Sequence, residues 1–163
     1  MSADPVVIAD LDRLGLEYEE MPCDPELADT AQFCDAYGVP LERSANAIVV
    51  ASRKPEGHFA ACLVLATTRL DVNGTVRRRL GVRKVSFANA EQTKSLTGME
   101  IGGVTIFGLP ESVPVWIDSR ILALDWVVVG AGSRSAKIRF DPRQLRDDDR
   151  FEPVPDLAQD QSF

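Results

Sequence analysis

The shortness of the links between strand-like runs constrains this fold most. Residues 45–52 (ANAIVVAS) and 59–67 (FAACLVLAT) are apolar stretches separated only by residues 53–58, with a Lys-Pro-Glu-Gly turn at 54–57. Parallel neighbours need a crossover of a dozen or more residues, so this pair reads as an antiparallel hairpin. Residues 113–118, 126–130 and 136–140 are also strand-like, and the last two are joined by the turn Gly130-Ala131-Gly132-Ser133. The pattern predicts a mixed α/β fold: a curved, largely antiparallel or mixed sheet, or a partly closed barrel, with helices packed outside. A doubly wound parallel sheet fits less well.

Helices are signalled at 5–15, where Asp4 precedes Pro5 and Gly15 closes the run, and from Asp29 or Thr30 through Tyr37, closed by Gly38 and Pro40. Residues 71–80 read as a helix ending on Gly81, and 90–96 as a short helix ending at Gly98. Short strands are expected at 16–21 and 84–88, and a last helical turn from Pro142. Residues 1–146 are expected to form a single domain. Residues 147–163, with their DDDR run and sparse apolar side chains, are expected to be an acidic, loosely held tail.

With 163 residues, 45% hydrophobic and 26% charged, the chain has the composition of a soluble domain, and no apolar run is long enough to span a bilayer. The three cysteines form no CxxC pair, and their odd number argues against a disulfide framework. They fit reduced thiols in the cytoplasm. A single histidine, His58, falls in the predicted hairpin turn, which argues against a His-based zinc site or a Ser/His/Asp triad. The net charge of −7 is unevenly spread: residues 36–146 carry +7 between acidic ends. A net acidic chain argues against DNA or generic nucleic-acid binding. Its basic middle is compatible with one anionic ligand at one face, or with charge spread over solvated surface.

The richest stretch for chemistry is 98–118, GMEIGGVTIFGLPESVPVWID. Gly102, Gly103 and Gly108 either make tight turns or expose backbone amides to a ligand. Asp118, followed by Ser119, either binds a substrate amino group or caps a turn. Arg77, Arg78 and Arg79 with Arg83 and Lys84 form a dense basic group that suits phosphate contacts or a solvated helix face. Cys62, Trp116 and Trp126 read as packing residues.

Taken together and in order, NAIVVAS, FAACLVLAT, RLGVRKV, the TG…GGV loop, VPVWIDS and the closing glycine turn before FDPRQL resemble the YbaK/prolyl-tRNA synthetase-associated domain family over about residues 6–145. That resemblance implies the mixed α/β editing-domain fold and a free-standing aminoacyl-tRNA deacylase, which hydrolyses the ester of a mischarged tRNA without metal or cofactor. It implies the 3′ end of an aminoacyl-tRNA as partner, with an aminoacyl-tRNA synthetase as a further candidate and no membrane. On this reading Asn46, Gly102, Gly103 and Thr105 are the catalytic candidates. Gly102 and Gly103 would offer amides to the oxyanion, and Thr105 would hold a water or the substrate amino group. Ile106, Phe107, Gly108, Asp118, Ser119, Gly130, Gly132, Ser133 and Arg134 are the substrate-binding candidates, with Arg134 suited to phosphate. Two positions depart from the family pattern. Asn46 stands where many members have a lysine, and Ile106 stands where proline is frequent. An uncharged amide cannot replace a cation. A non-catalytic relative that binds tRNA or an amino-acid-like ligand in the same pocket is therefore the alternative.

Overall fold

The computed structural model describes residues 2–161. In chain order its elements are α1 Pro5–Arg13, β1 Tyr18–Pro22, α2 Thr30–Tyr37, β2 Ala45–Lys54, β3 Glu56–Leu65, β4 Thr68–Leu70, α3 Arg77–Leu80, β5 Lys84–Phe87, α4 Ala90–Thr97, β6 Val115–Asp118, β7 Val127–Gly130, β8 Ala136–Phe140, β9 Phe151–Val154 and β10 Ala158–Asp160. Among these residues no helix is long and apolar enough to cross a membrane.

The hairpin is present. β2 and β3 pair antiparallel from Ala45 opposite Leu65 to Arg53 opposite Glu56, at the centre of a five-stranded sheet ordered β5-β2-β3-β6-β9. β5 adds antiparallel, whereas β6 and β9 add parallel, each reached by a long excursion of the chain. A second sheet, β1-β8-β7, is antiparallel throughout, and β4 and β10 form a separate pair. The two larger sheets meet through a bridge between Ser44 and Val128 and do not close into a barrel.

Period-2 alternation along β2 and β3 gives the central sheet two buried faces. Ala45, Ala61, Leu63 and Leu65 join the core under α1 and the second sheet, with Val7 and Leu11 of α1 at 0% exposure. Val50, Ala60, Cys62 and Val64 join a separate core with Leu70, Val76, Trp116 and Leu157. Cys62 lies in this second core, and burial pushes its thiol up to about 12.

The helix read over 71–80 is present and closes on Gly81, with π-helical Val72–Val76 running into the α-helical turn of α3. The Asp71 carboxylate takes the amides of Gly74 and Thr75, and Val76 N–H donates to the Asp71 carbonyl five residues back, so the first turn is wider than an α-helix. The expected loose tail over 147–163 needs correction: residues 147–161 are woven into the fold, and 162–163 lie outside the described residues. β9 lies along β6 and β10 along β4, with Phe151 3%, Val154 1% and Leu157 0% exposed. The acidic side chains of this segment face outward, where Glu152 pairs with Arg79 and Asp160 with Arg120. Pro153 is tolerated because β9 is an edge strand.

Removing the Phe151 ring from the main core should cost about 3–5 kcal/mol, as for other buried Phe→Ala changes. Urea unfolding of Phe151→Ala checks this; a loss below about 0.5 kcal/mol, typical of a surface site, would contradict the packed arrangement.

Candidate functional site

A cavity of about 350 Å³ opens where the two larger sheets diverge. The first half of β2 and the end of β7 form its floor, the start of α2 and the loop before Val104 its walls, and Phe87 and Ala88 its rim. Asn46 enters from β2, and its Oδ1 accepts a hydrogen bond from Thr30 Oγ1 at 2.5 Å.

The cation of the site is Lys137 of β8, which is 7% exposed. Its Nζ donates to the carbonyls of Ala28 at 2.7 Å and Gly102 at 2.8 Å, and it lies 5.4 Å from the centre of the Phe33 ring. An ammonium carries three N–H donors, so one is left for an occupant of the cavity. Burial holds the Lys137 pKa below the ordinary lysine value; the neighbouring Cys23 and Asp29 only partly offset this.

The glycines of the two turns pack backbone against backbone. A Cβ on Gly103 would lie 2.5 Å from the Ser133 carbonyl oxygen, and one on Gly130 would lie 2.3 Å from that of Val104. The Gly132 amide donates to the Gly103 carbonyl at 2.7 Å, which locks the turns together. The Gly103 amide is taken by the Glu100 carbonyl, and the Gly108 amide by Asp10 Oδ2. The Gly102 amide has no acceptor among the described residues, while its carbonyl takes the Lys137 ammonium.

Of the residues expected at the site, the cavity brings together Asn46, Gly102 and Gly130. The others lie elsewhere. Thr105, Ile106 and Phe107 are at most 1% exposed, because the chain dives into the main core after Val104, where Phe107 meets Phe140 and Phe151 edge-on. Arg134 is a brace: its guanidinium binds the carbonyls of Pro25 and Ile101 and the Asp29 carboxylate, which leaves it committed to protein groups. Ser133 Oγ donates to the Ser2 carbonyl. Asp118 is 2% exposed and ion-paired with Arg120 at 3.1 Å; desolvation pushes its carboxyl up. Arg120 also binds Asp160 and the Ala158 carbonyl, while the Ser119 amide donates to Val154, so this corner anchors the C-terminal strands. Gly103, Gly108 and Gly132 shape the loops from outside the cavity. Among the described residues no group of three or more His, Cys, Asp or Glu side chains could hold a metal ion.

Residues 24–147 match the family model of the aminoacyl-tRNA editing domain. The chain belongs to that family. It is 30% identical over 118 residues to the uncharacterized protein YwhH of Bacillus subtilis (strain 168), covering 72% of this chain and 73% of that protein. Two crystal structures share the fold. The hypothetical protein APE2540 is 23% identical with a TM-score of 0.84, over 94% of this chain and 99% of that one. A candidate trans-editing enzyme for prolyl-tRNA synthetase is 22% identical with a TM-score of 0.75, over 98% and 100%.

Within this editing domain, sequence reasoning did not place Lys137 or Thr30 at the cavity that they line. Lys137 shares its strand face with exposed Arg139, so alternation alone reads it as solvated. The segment 23–39 covers it, with Phe33 above its ammonium.

The lowered Lys137 pKa has a signed consequence. Between the folded pKa and the higher unfolded value the unfolded chain holds a proton that the folded chain has released, so stability rises with pH there. Urea unfolding across alkaline pH should show that rise in the wild type and a flatter limb in Lys137→Met. Parallel curves for the two proteins would refute it. In the same assay Gly103→Ala should be destabilised by 1 kcal/mol or more, since the clash is with backbone.

Proposed function

We propose that this editing domain is an aminoacyl-tRNA deacylase acting in trans in the cytoplasm. The observation that supports it is the lining of one cavity by a buried ammonium, Lys137, together with Asn46 and Gly102. Asn46 cannot supply a positive charge, and this was the main argument for a non-catalytic relative. Lys137 supplies one from a different strand.

An aminoacyl ester is already activated, so its hydrolysis needs a placed water and a stabilised oxyanion, not a Lewis acid. Water attacks the ester carbonyl carbon, and negative charge gathers on the carbonyl oxygen. The spare N–H of Lys137 and the Gly102 amide are the donors that meet that oxygen. The bond to the ribose oxygen then breaks, and that oxygen takes up a proton as the amino acid leaves. Asn46, oriented by Thr30, holds the attacking water or the ribose hydroxyl. The small cavity, lined by Ala45, Ala47 and Val49, favours a small side chain on the amino acid.

The test is deacylation of Ala-, Cys- and Ser-tRNA by the full chain. One species should be released well above the buffer rate, without dependence on added metal. Lys137→Met should lower kcat by roughly 10²–10³-fold, the usual loss for one oxyanion donor. The wild-type rate should fall as pH rises through the lowered Lys137 pKa, because the ammonium is lost. A flat panel that Asn46→Lys converts to active hydrolysis would instead establish the non-catalytic relative.

A further inference from the structure

The cavity carries charge of both signs. Among the described residues that line it, Lys137 is the one cation and Asp29 the one carboxylate. Asp29 favours the charged form of Lys137, yet no ion pair joins the two. The Lys137 ammonium turns instead to the carbonyls of Ala28 and Gly102. Opposite charges held apart across a small space complement an occupant that is itself dipolar.

Asp29 is the N-cap residue of α2, and its backbone is extended there, but its side chain accepts no bond from the helix amides. A carboxylate at this position ordinarily takes the second or third helical N–H. Here Oδ1 accepts from Arg134 Nη1 at 3.2 Å, and among the described residues no hydrogen bond reaches Oδ2. The side chain is 62% exposed, so that oxygen is open to an incoming group. Arg134 keeps the carboxylate in place, because its guanidinium is also tied to the carbonyls of Pro25 and Ile101. Gly102 makes room for the pair: a Cβ there would lie 2.0 Å from Arg134 Nη1 and 3.1 Å from Asp29 Oδ1.

Asn46 completes the pattern. Its Oδ1 is taken by the Thr30 hydroxyl, so its NH2 is the half left for an occupant. Lys137 and Asn46 therefore offer donors, and Asp29 offers the charged acceptor. Thr105 and Asp118, read from the sequence as partners for a substrate amino group, are buried away from the cavity, which leaves that role unfilled.

We propose that Asp29 is a specificity-determining residue that binds the α-amino group of the aminoacyl ester and makes the site select free-amine esters over N-acylated ones. This rests on the deacylase reading. With the ester carbonyl against Lys137, the amine one carbon further along meets Asp29 Oδ2. A free amine brings two or three N–H donors and, when protonated, a full positive charge. N-acylation turns that nitrogen into an uncharged amide with a single N–H and sets the acyl group against Arg134.

The experiment compares Ala-, Cys- and Ser-tRNA with the same species N-acetylated, as substrates of the full chain. For the species hydrolysed fastest, N-acetylation should lower wild-type kcat/KM about tenfold or more, the usual weight of a hydrogen bond to a charged group. Asp29→Asn keeps an acceptor for Arg134 but loses the charge. It should lower kcat/KM on the free-amine substrate, mostly through KM, and bring the ratio of the two substrates toward one. Asp29→Glu should recover part of that ratio. Damage to the shape of the site would lower both rates and keep the ratio, and thermal melts of each variant report folding. Equal wild-type rates on the two substrates, or an unchanged ratio in Asp29→Asn, overturns the amine subsite and leaves the deacylase. If the chain hydrolyses neither substrate, the deacylase reading falls and binding decides the subsite. The probes are then 3′-deoxy-3′-(L-alanylamino)adenosine and its N-acetyl derivative, titrated calorimetrically. Tighter binding of the free amine that Asp29→Asn abolishes upholds the subsite; equal binding, or none, overturns it.

Discussion

The site depends on one buried cation. Lys137 ties the carbonyl of Ala28, ahead of α2, to the carbonyl of Gly102 in the glycine loop. A charge at 7% exposure carries a desolvation cost, which the two carbonyls and the face of Phe33 offset. The arrangement therefore holds only while both segments are in place. Arg134 reinforces it from the rim by joining Pro25, Asp29 and Ile101. The cavity is shaped by cations that pull two loops together over a strand, not by a preformed cleft within one sheet.

The glycine-rich turns serve this arrangement as geometry. Two loops from different parts of the chain approach so closely that a Cβ at 103 or 130 would strike backbone oxygen. The Gly132 amide joins the two loops, those of Gly103 and Gly108 are taken by the Glu100 carbonyl and the Asp10 carboxylate, and that of Gly102 has no acceptor among the described residues. Glycine content in a sequence reports close approach; it does not say whether the approaching group is a ligand or the protein itself.

The C-terminal segment shows the same ambiguity in another form. Acidic residues dominate 147–160, and only Phe151, Val154, Leu157 and Ala158 are buried. Four apolar side chains suffice because β9 and β10 need only an edge position and one covered face each. Arg120, bridging Asp118, Asp160 and the Ala158 carbonyl, fixes the end of this segment to β6.

The sequence by itself determined the hairpin of β2 and β3, α1, α2, α4, the strands β6 to β8 and the family. These follow from local signals: a short turn between apolar runs, caps, glycine stops and an ordered series of motifs. Of the residues it singled out, Asn46, Gly102 and Gly130 line one cavity. Only the tertiary structure decided that Thr105, Ile106 and Phe107 turn inward, that Asp118 and Arg134 are spent on protein partners, and that the sheets stay open. Only it showed Lys137 as the cation of the cavity, because alternation assigns a face to a residue but cannot say what covers that face. Burial of a charge depends on segments far apart in sequence, here 23–39 folding over β8, and no local pattern encodes that contact.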